Sequence, residues 1–121
     1  MLNILIISAR PDFWEKLLPV MQKRGFAPTL VNSVDEADAV MRGSPTGLAV
    51  LDLPHNFESM RNAVDTIRIG HARVKIAIVN NLRDSDLAEA ASGMDSPPII
   101  LPAHPKPEDI SVMLNTLENP H

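Results

Sequence analysis

The sequence contains no cysteine and no tyrosine. Without cysteine there are no disulfides, thiolate metal sites, iron–sulfur clusters or cysteine nucleophiles, and the absence fits a reducing, cytoplasmic compartment. Positive charge is not in excess. Eleven Lys and Arg face fifteen Asp and Glu, for a net charge of -4, which argues against a dedicated nucleic-acid binder. No apolar run approaches the roughly 20 residues of a membrane span. The N-terminus lacks a basic stretch leading into a long apolar core, so it does not read as a signal peptide. There is no Gly-x-Gly-x-x-Gly and no Gly-Lys-Ser/Thr loop, so dinucleotide and nucleoside triphosphate sites of those kinds have no support. No Gly-x-Ser-x-Gly elbow accompanies Ser8, so a hydrolase triad has no basis either. No enzyme activity is expected.

What is present is an ordinary globular composition: 121 residues, 45% apolar and 21% charged, enough for a single domain over 1–121 with a frayed tail at 118–121. Five short apolar runs, at 4–7, 29–31, 48–51, 76–79 and 99–101, alternate with amphipathic stretches. The first, third and fourth are continuously apolar, as expected of parallel strands covered on both faces. The first helical stretch repeats Phe13, Leu17 and Met21 at i, i+4 and i+8, with Pro11 at its first position and Gly25 as its stop. Pro19 lies in its interior and predicts a bend there, since it removes a backbone donor and crowds the carbonyl of Glu15. The second opens on a capping box, Ser33 and Glu36. Its apolar face is Ala37, Val40 and Met41. The third carries Met60, Ala63, Val64 and Ile67. The fourth, 84–92, is short and Ala-rich. The fifth starts at Pro107 with Glu108 and Asp109 in its first turn, and places Ile110, Met113, Leu114 and Leu117 inward.

Five βα units predict a parallel sheet with helices on both faces. Proline cannot donate to a ladder and belongs at sheet edges. Pro28 marks the second strand, and Pro98 and Pro102 flank the fifth. The expected order is therefore 2-1-3-4-5, an α/β, flavodoxin-like, doubly wound fold. In such folds the site lies at the carboxyl ends of the strands. Those ends read Ser8-Ala9-Arg10, Asn32-Ser33, Asp52, Asn80-Asn81 and Pro102-Ala103-His104. Asp52 alone is a carboxylate directly ending a central strand; it reads equally as a turn residue of Asp52-Leu53-Pro54.

Over residues 3–118 the chain resembles the receiver (CheY-like) domain of two-component response regulators. The phrase Ala49-Val50-Leu51-Asp52-Leu53-Pro54 resembles the stretch around that family's phospho-accepting aspartate. Asn3-Ile4-Leu5-Ile6-Ile7 with Pro11-Asp12-Phe13 resembles its first strand and helix start. Gly93-Met94-Asp95 and Pro107-Glu108-Asp109-Ile110 resemble the turn before its last strand and the start of its last helix.

The resemblance implies a pocket, and the residues in it depart from the family pattern. Two acidic residues that hold Mg²⁺ in the family are here Ser8 and Ala9, followed by Arg10. The hydroxyl residue ending the fourth strand is Asn80. The Lys-Pro pair after the fifth aligns with Ala103-His104, and the aromatic switch position with Ile100. Mg²⁺ is held through carboxylates, so Asp52 with this company predicts weak Mg²⁺ binding, no other cofactor, and poor phosphorylation. The expectation is a pseudo-receiver acting through contacts with signalling proteins, a histidine kinase or an effector. A homodimer through the fourth helix, fifth strand and fifth helix is included, with no direct nucleic-acid or membrane partner. A functional phospho-receiver with Asp52 as acceptor, and a small-ligand-binding flavodoxin-like module, are the alternatives.

Other residues carry plainer expectations. Arg10 could pair with Asp52, but a solvated loop arginine is the simpler reading, surface pairs being worth little. Trp14 reads as half-packed beside the first apolar stripe. His55, His71, His104 and His121 are scattered and do not make a metal site. Arg61, Arg68, Arg73 and Lys75 read as a solvated basic face, and Met41, Met60 and Met113 as core filler.

Overall fold

Each continuously apolar run becomes a strand whose alternate residues feed two different cores. The computed structural model describes residues 3–44, 46–52, 57–71, 73–79, 99–102 and 104–118. Along them run β1 (Asn3–Ser8), α1 (Pro11–Glu15), α2 (Leu18–Lys23), β2 (Ala27–Val31), α3 (Val34–Gly43), β3 (Thr46–Asp52), α4 (Phe57–Gly70), β4 (Lys75–Val79), β5 (Ile99–Leu101) and α5 (Pro107–Glu118). The strands pair in parallel in the order β2-β1-β3-β4-β5, as the proline positions predict. Pro28 sits within edge strand β2 opposite Ile4, and Pro102 follows edge strand β5. The fourth predicted helix at 84–92, the turn 93–95 and Pro98 lie outside the described residues.

Side chains alternate across a strand, and the two cores follow that alternation. Ile4, Ile6, Leu48, Val50, Ala77, Val79 and Leu101 pack with Trp14, Leu17, Met21, Ile110, Met113 and Leu114 beneath α1, α2 and α5. Leu5, Ile7, Ala49, Leu51, Ile76 and Ile78 pack with Ala37, Met41, Ala63, Val64 and Ile67 beneath α3 and α4. Burial of each large aliphatic side chain contributes about 1.5–3 kcal/mol. A one-residue slip of β1 or β3 would exchange the two sets, so the packing fixes the register. That register sets Ser8 opposite Asp52 at the carboxyl ends of β1 and β3. Both share parity with Ile4, Ile6, Leu48 and Val50, so both face the α1 side of the sheet.

The helix ends are built as their sequences suggest. Ser33 Oγ accepts from the Glu36 N–H at 3.2 Å, and Glu36 reaches back to the N–H of Asn32 at 3.1 Å. On α5, the Asp109 carboxylate accepts from the N–H of Lys106 at 2.9 Å. Gly25, at φ +86°, ends α2 with two bonds, Phe26 N–H to Met21 carbonyl and Gly25 N–H to Gln22 carbonyl. That is a Schellman stop, which needs a left-handed residue. The disturbance expected around Pro19 takes the form of an interruption: the helical stretch divides into α1 and α2 at Lys16 and Leu17. The N–H of Leu17 turns back to the Trp14 carbonyl at 2.8 Å. Pro19 falls in the first turn of α2, where its missing N–H costs nothing.

A polar clip joins α3 to the end of α4. Asp38 contacts His71 Nε2 at 2.8 Å and Arg42 at 2.8 Å, one turn on. The His71 hydrogen bond, with Arg42 adding to it, holds the Asp38 carboxyl below its ordinary range. A carboxyl lowered in the folded state stabilises fully above the ordinary carboxylate range, near about pH 4, and loses that contribution as pH falls through its folded value. Asp38→Asn is therefore expected to lower the urea unfolding midpoint at neutral pH. The difference from wild type should shrink as the pH is taken below about 4.

Candidate functional site

The site grows from one buried carboxylate. Asp52 ends β3 at 4% exposure, and Ser8 beside it is at 1%. An ionised carboxylate at that depth needs donors or a counter-charge, and the chain supplies both from the segment that follows β1. Ser8 Oγ donates to Asp52 Oδ2 at 2.8 Å, and its oxygen accepts from the Arg10 backbone N–H at 3.0 Å. The Arg10 side chain turns inward and grips both carboxylate oxygens, Nε to Oδ2 at 2.6 Å and Nη2 to Oδ1 at 3.2 Å. Such two-pronged, charge-assisted pairs are the strong ones. The indole N–H of Trp14 donates to the same Oδ2 at 2.7 Å.

Aromatic packing fixes the guanidinium from outside. Arg10 Cζ lies 4.2 Å from the Phe13 ring centroid. Phe13 stands edge-on to Trp14 at 5.6 Å and to His104 at 6.3 Å. His104 Nδ1 meets Arg10 Nη1 at 3.2 Å. One strand-end carboxylate thus gathers groups from β1, the turn after it, α1 and the segment after β5.

Of the residues predicted for this site, Ser8, Arg10, Asp52 and His104 come together. Ala9 is exposed in the turn after β1. Asn80 and Ala103 lie outside the described residues, as does the Leu53-Pro54 turn. Two expectations are corrected. Arg10 is not a solvated loop arginine, because the depth of Asp52 turns an otherwise weak surface pair into a necessary counter-charge. Trp14 is not half-packed; it is fully buried and touches the carboxylate. Its signal was in the sequence: a buried tryptophan needs an acceptor for its N–H, and Asp52 is the one carboxylate ending a central strand. Among the described residues no three His, Asp or Glu side chains cluster as a metal site would require, and Arg61 and Arg68 spend their charge on Asp65.

The donor set can be tested against a divalent cation. Mg²⁺ asks for several oxygen ligands and near-octahedral space. Here Asp52 Oδ2 accepts from a hydroxyl, a guanidinium and an indole, Ser8 offers a neutral oxygen already engaged, and Ala9 offers none. The Arg10 guanidinium occupies both oxygens of the carboxylate. Among the described residues, no set of acidic or histidine ligands that would suit a metal ion gathers around it.

No family model matches the chain. The photosynthetic apparatus regulatory protein RegA of Rhodovulum sulfidophilum is 29% identical over 77 residues, a stretch that covers 64% of this chain and 42% of that protein. Solved structures match nearly end to end. A two-component response regulator from Clostridium difficile superposes with a TM-score of 0.82 at 17% identity, covering 98% of this chain and 96% of the other. A CheY-like receiver domain from Methylobacillus flagellatus gives 0.78 at 18% identity, covering 97% and 98%. The chain has the CheY-like receiver fold, with its strand order and helices.

The Arg10–Asp52 pair should be measurable as a coupling. Arg10→Ala leaves a buried carboxylate short of its counter-charge and is expected to cost about 1–3 kcal/mol in urea unfolding. Combined with Asp52→Asn in a double-mutant cycle, the interaction energy should fall at about 0.5–3 kcal/mol. Additive single and double mutants would show that the two side chains do not depend on each other.

Proposed function

We propose that this chain is a receiver-like signalling domain that works through protein–protein contacts, and that Mg²⁺-dependent phosphorylation of Asp52 is impaired in it. The observation that carries the reading is the set of donors on Asp52 Oδ2. Attack on a phosphoryl group needs an available carboxylate oxygen, a cation bridging the reacting groups and neutralisation of the developing charge. In this pocket the arginine has already neutralised the carboxylate, and three donors hold the oxygen that faces the interior. The pocket is arranged to keep an aspartate, not to modify one.

Signalling by contact requires an outer face. Ile100 on β5 is 45% exposed and Val112 on α5 is 64% exposed. Both lie on elements of the surface expected to meet a kinase, an effector or a second copy. The chain has no described helix long and apolar enough to cross a membrane.

The test is incubation with a small phosphodonor or with beryllofluoride, with and without Mg²⁺, read by intact mass and NMR. The expected result is an unmodified chain whose spectrum is insensitive to Mg²⁺. Stoichiometric, Mg²⁺-dependent modification that disappears in Asp52→Asn would establish a working phospho-receiver instead. A small molecule that raises the melting temperature by binding at the strand ends would support the ligand-binding alternative.

A further inference from the structure

We propose that His104 is a proton-operated catch that fastens the segment between β5 and α5 to the Asp52–Arg10 pair. The inference does not depend on whether Asp52 can be phosphorylated. It starts from the donor inventory. A guanidinium has donors and no acceptor, so the 3.2 Å contact between Arg10 Nη1 and His104 Nδ1 requires a neutral imidazole with its proton on Nε2. A proton added at Nδ1 would set donor against donor and cation against cation.

The geometry decides which partner yields. Arg10 is tied through Nε and Nη2 to Asp52 and lies against the Phe13 ring. His104 is exposed and stands between the end of β5 at Leu101 and the start of α5 at Pro107. It is the side chain able to withdraw. Among the described residues, the groups around it do not reverse the sign. From the turn after β1 comes the Arg10 cation, from α1 the uncharged Phe13 ring edge, and from β3 the Asp52 carboxylate, already engaged by Arg10. On its own side are Lys106 and the α5 carboxylates Glu108 and Asp109, of which Asp109 accepts from the Lys106 N–H. Protonation therefore releases the segment that leads into α5, the helix carrying exposed Val112.

The experiment is an NMR pH series on the full chain, between about pH 8 and pH 5, comparing wild type with His104→Asn. The asparagine Oδ1 can accept from Arg10 in place of Nδ1, and it does not titrate. In wild type the proton–proton cross-peaks between the Phe13 ring and residue 104 should be lost over the same span in which the His104 ring signals shift. In His104→Asn they should persist at every pH. The Trp14 indole signal should survive in both, marking an intact fold. Cross-peaks that persist through His104 protonation, that vanish equally in His104→Asn, or that vanish only together with the Trp14 signal would overturn the proposal.

Discussion

A carboxylate buried at the end of a central strand has to be compensated, and much of the local architecture answers to that requirement. Asp52 is carried into the interior by a strand whose preceding residues are fully buried. Its depth follows from the hydrophobic effect acting on Leu48 to Leu51, while its charge does not. The compensation comes from the eight residues after Ile6. The β1–β3 register delivers Ser8, the turn delivers Arg10, and the first turns of α1 deliver Trp14. Each donor is placed by backbone that other forces have already fixed, so the arrangement is preorganised.

The same requirement underlies the proposal that phosphorylation is impaired in this receiver fold. In the pattern that the sequence resembles, a metal ion and its carboxylates surround the strand-end aspartate. Here the cationic role falls to a side chain covalently part of the protein. A permanent guanidinium neutralises the carboxylate without exchanging with solvent. It also cannot bridge an attacking and a leaving oxygen as a metal does. The fold needs a compensated aspartate to be stable, and either kind of cation meets that need. Only the metal supports phosphoryl transfer.

Much of this was legible in the residues. The runs around Ile6, Val50 and Ala77 announced buried strands, and Pro28 and Pro102 announced the sheet edges. Ser33 with Glu36, and Gly25, marked helix ends that form as read. Asp52 was legible as a strand-end carboxylate, with Ser8 at the neighbouring strand end. The pairing of Arg10 was harder to see because its strength depends on how deeply Asp52 is buried, a tertiary property. Trp14 was harder still. Helical spacing put it beside the apolar stripe, and its contact with the carboxylate depends on how β3 and α1 meet in the fold. Local rules placed Pro19 as a kink; the chain met the same constraint by starting a new helix before it.

Asp52 is held by the protein's own donors, and the proposed consequence is that it binds Mg²⁺ poorly. The single tryptophan makes a direct probe, since its indole N–H bonds Asp52 Oδ2 and gives one resolvable ¹⁵N–H signal. That signal should be displaced by Asp52→Asn in the absence of metal, and should not move when Mg²⁺ is titrated into the wild-type chain to well above cellular concentrations. A saturable, Mg²⁺-dependent shift of the wild-type indole signal, lost in Asp52→Asn, would contradict the account.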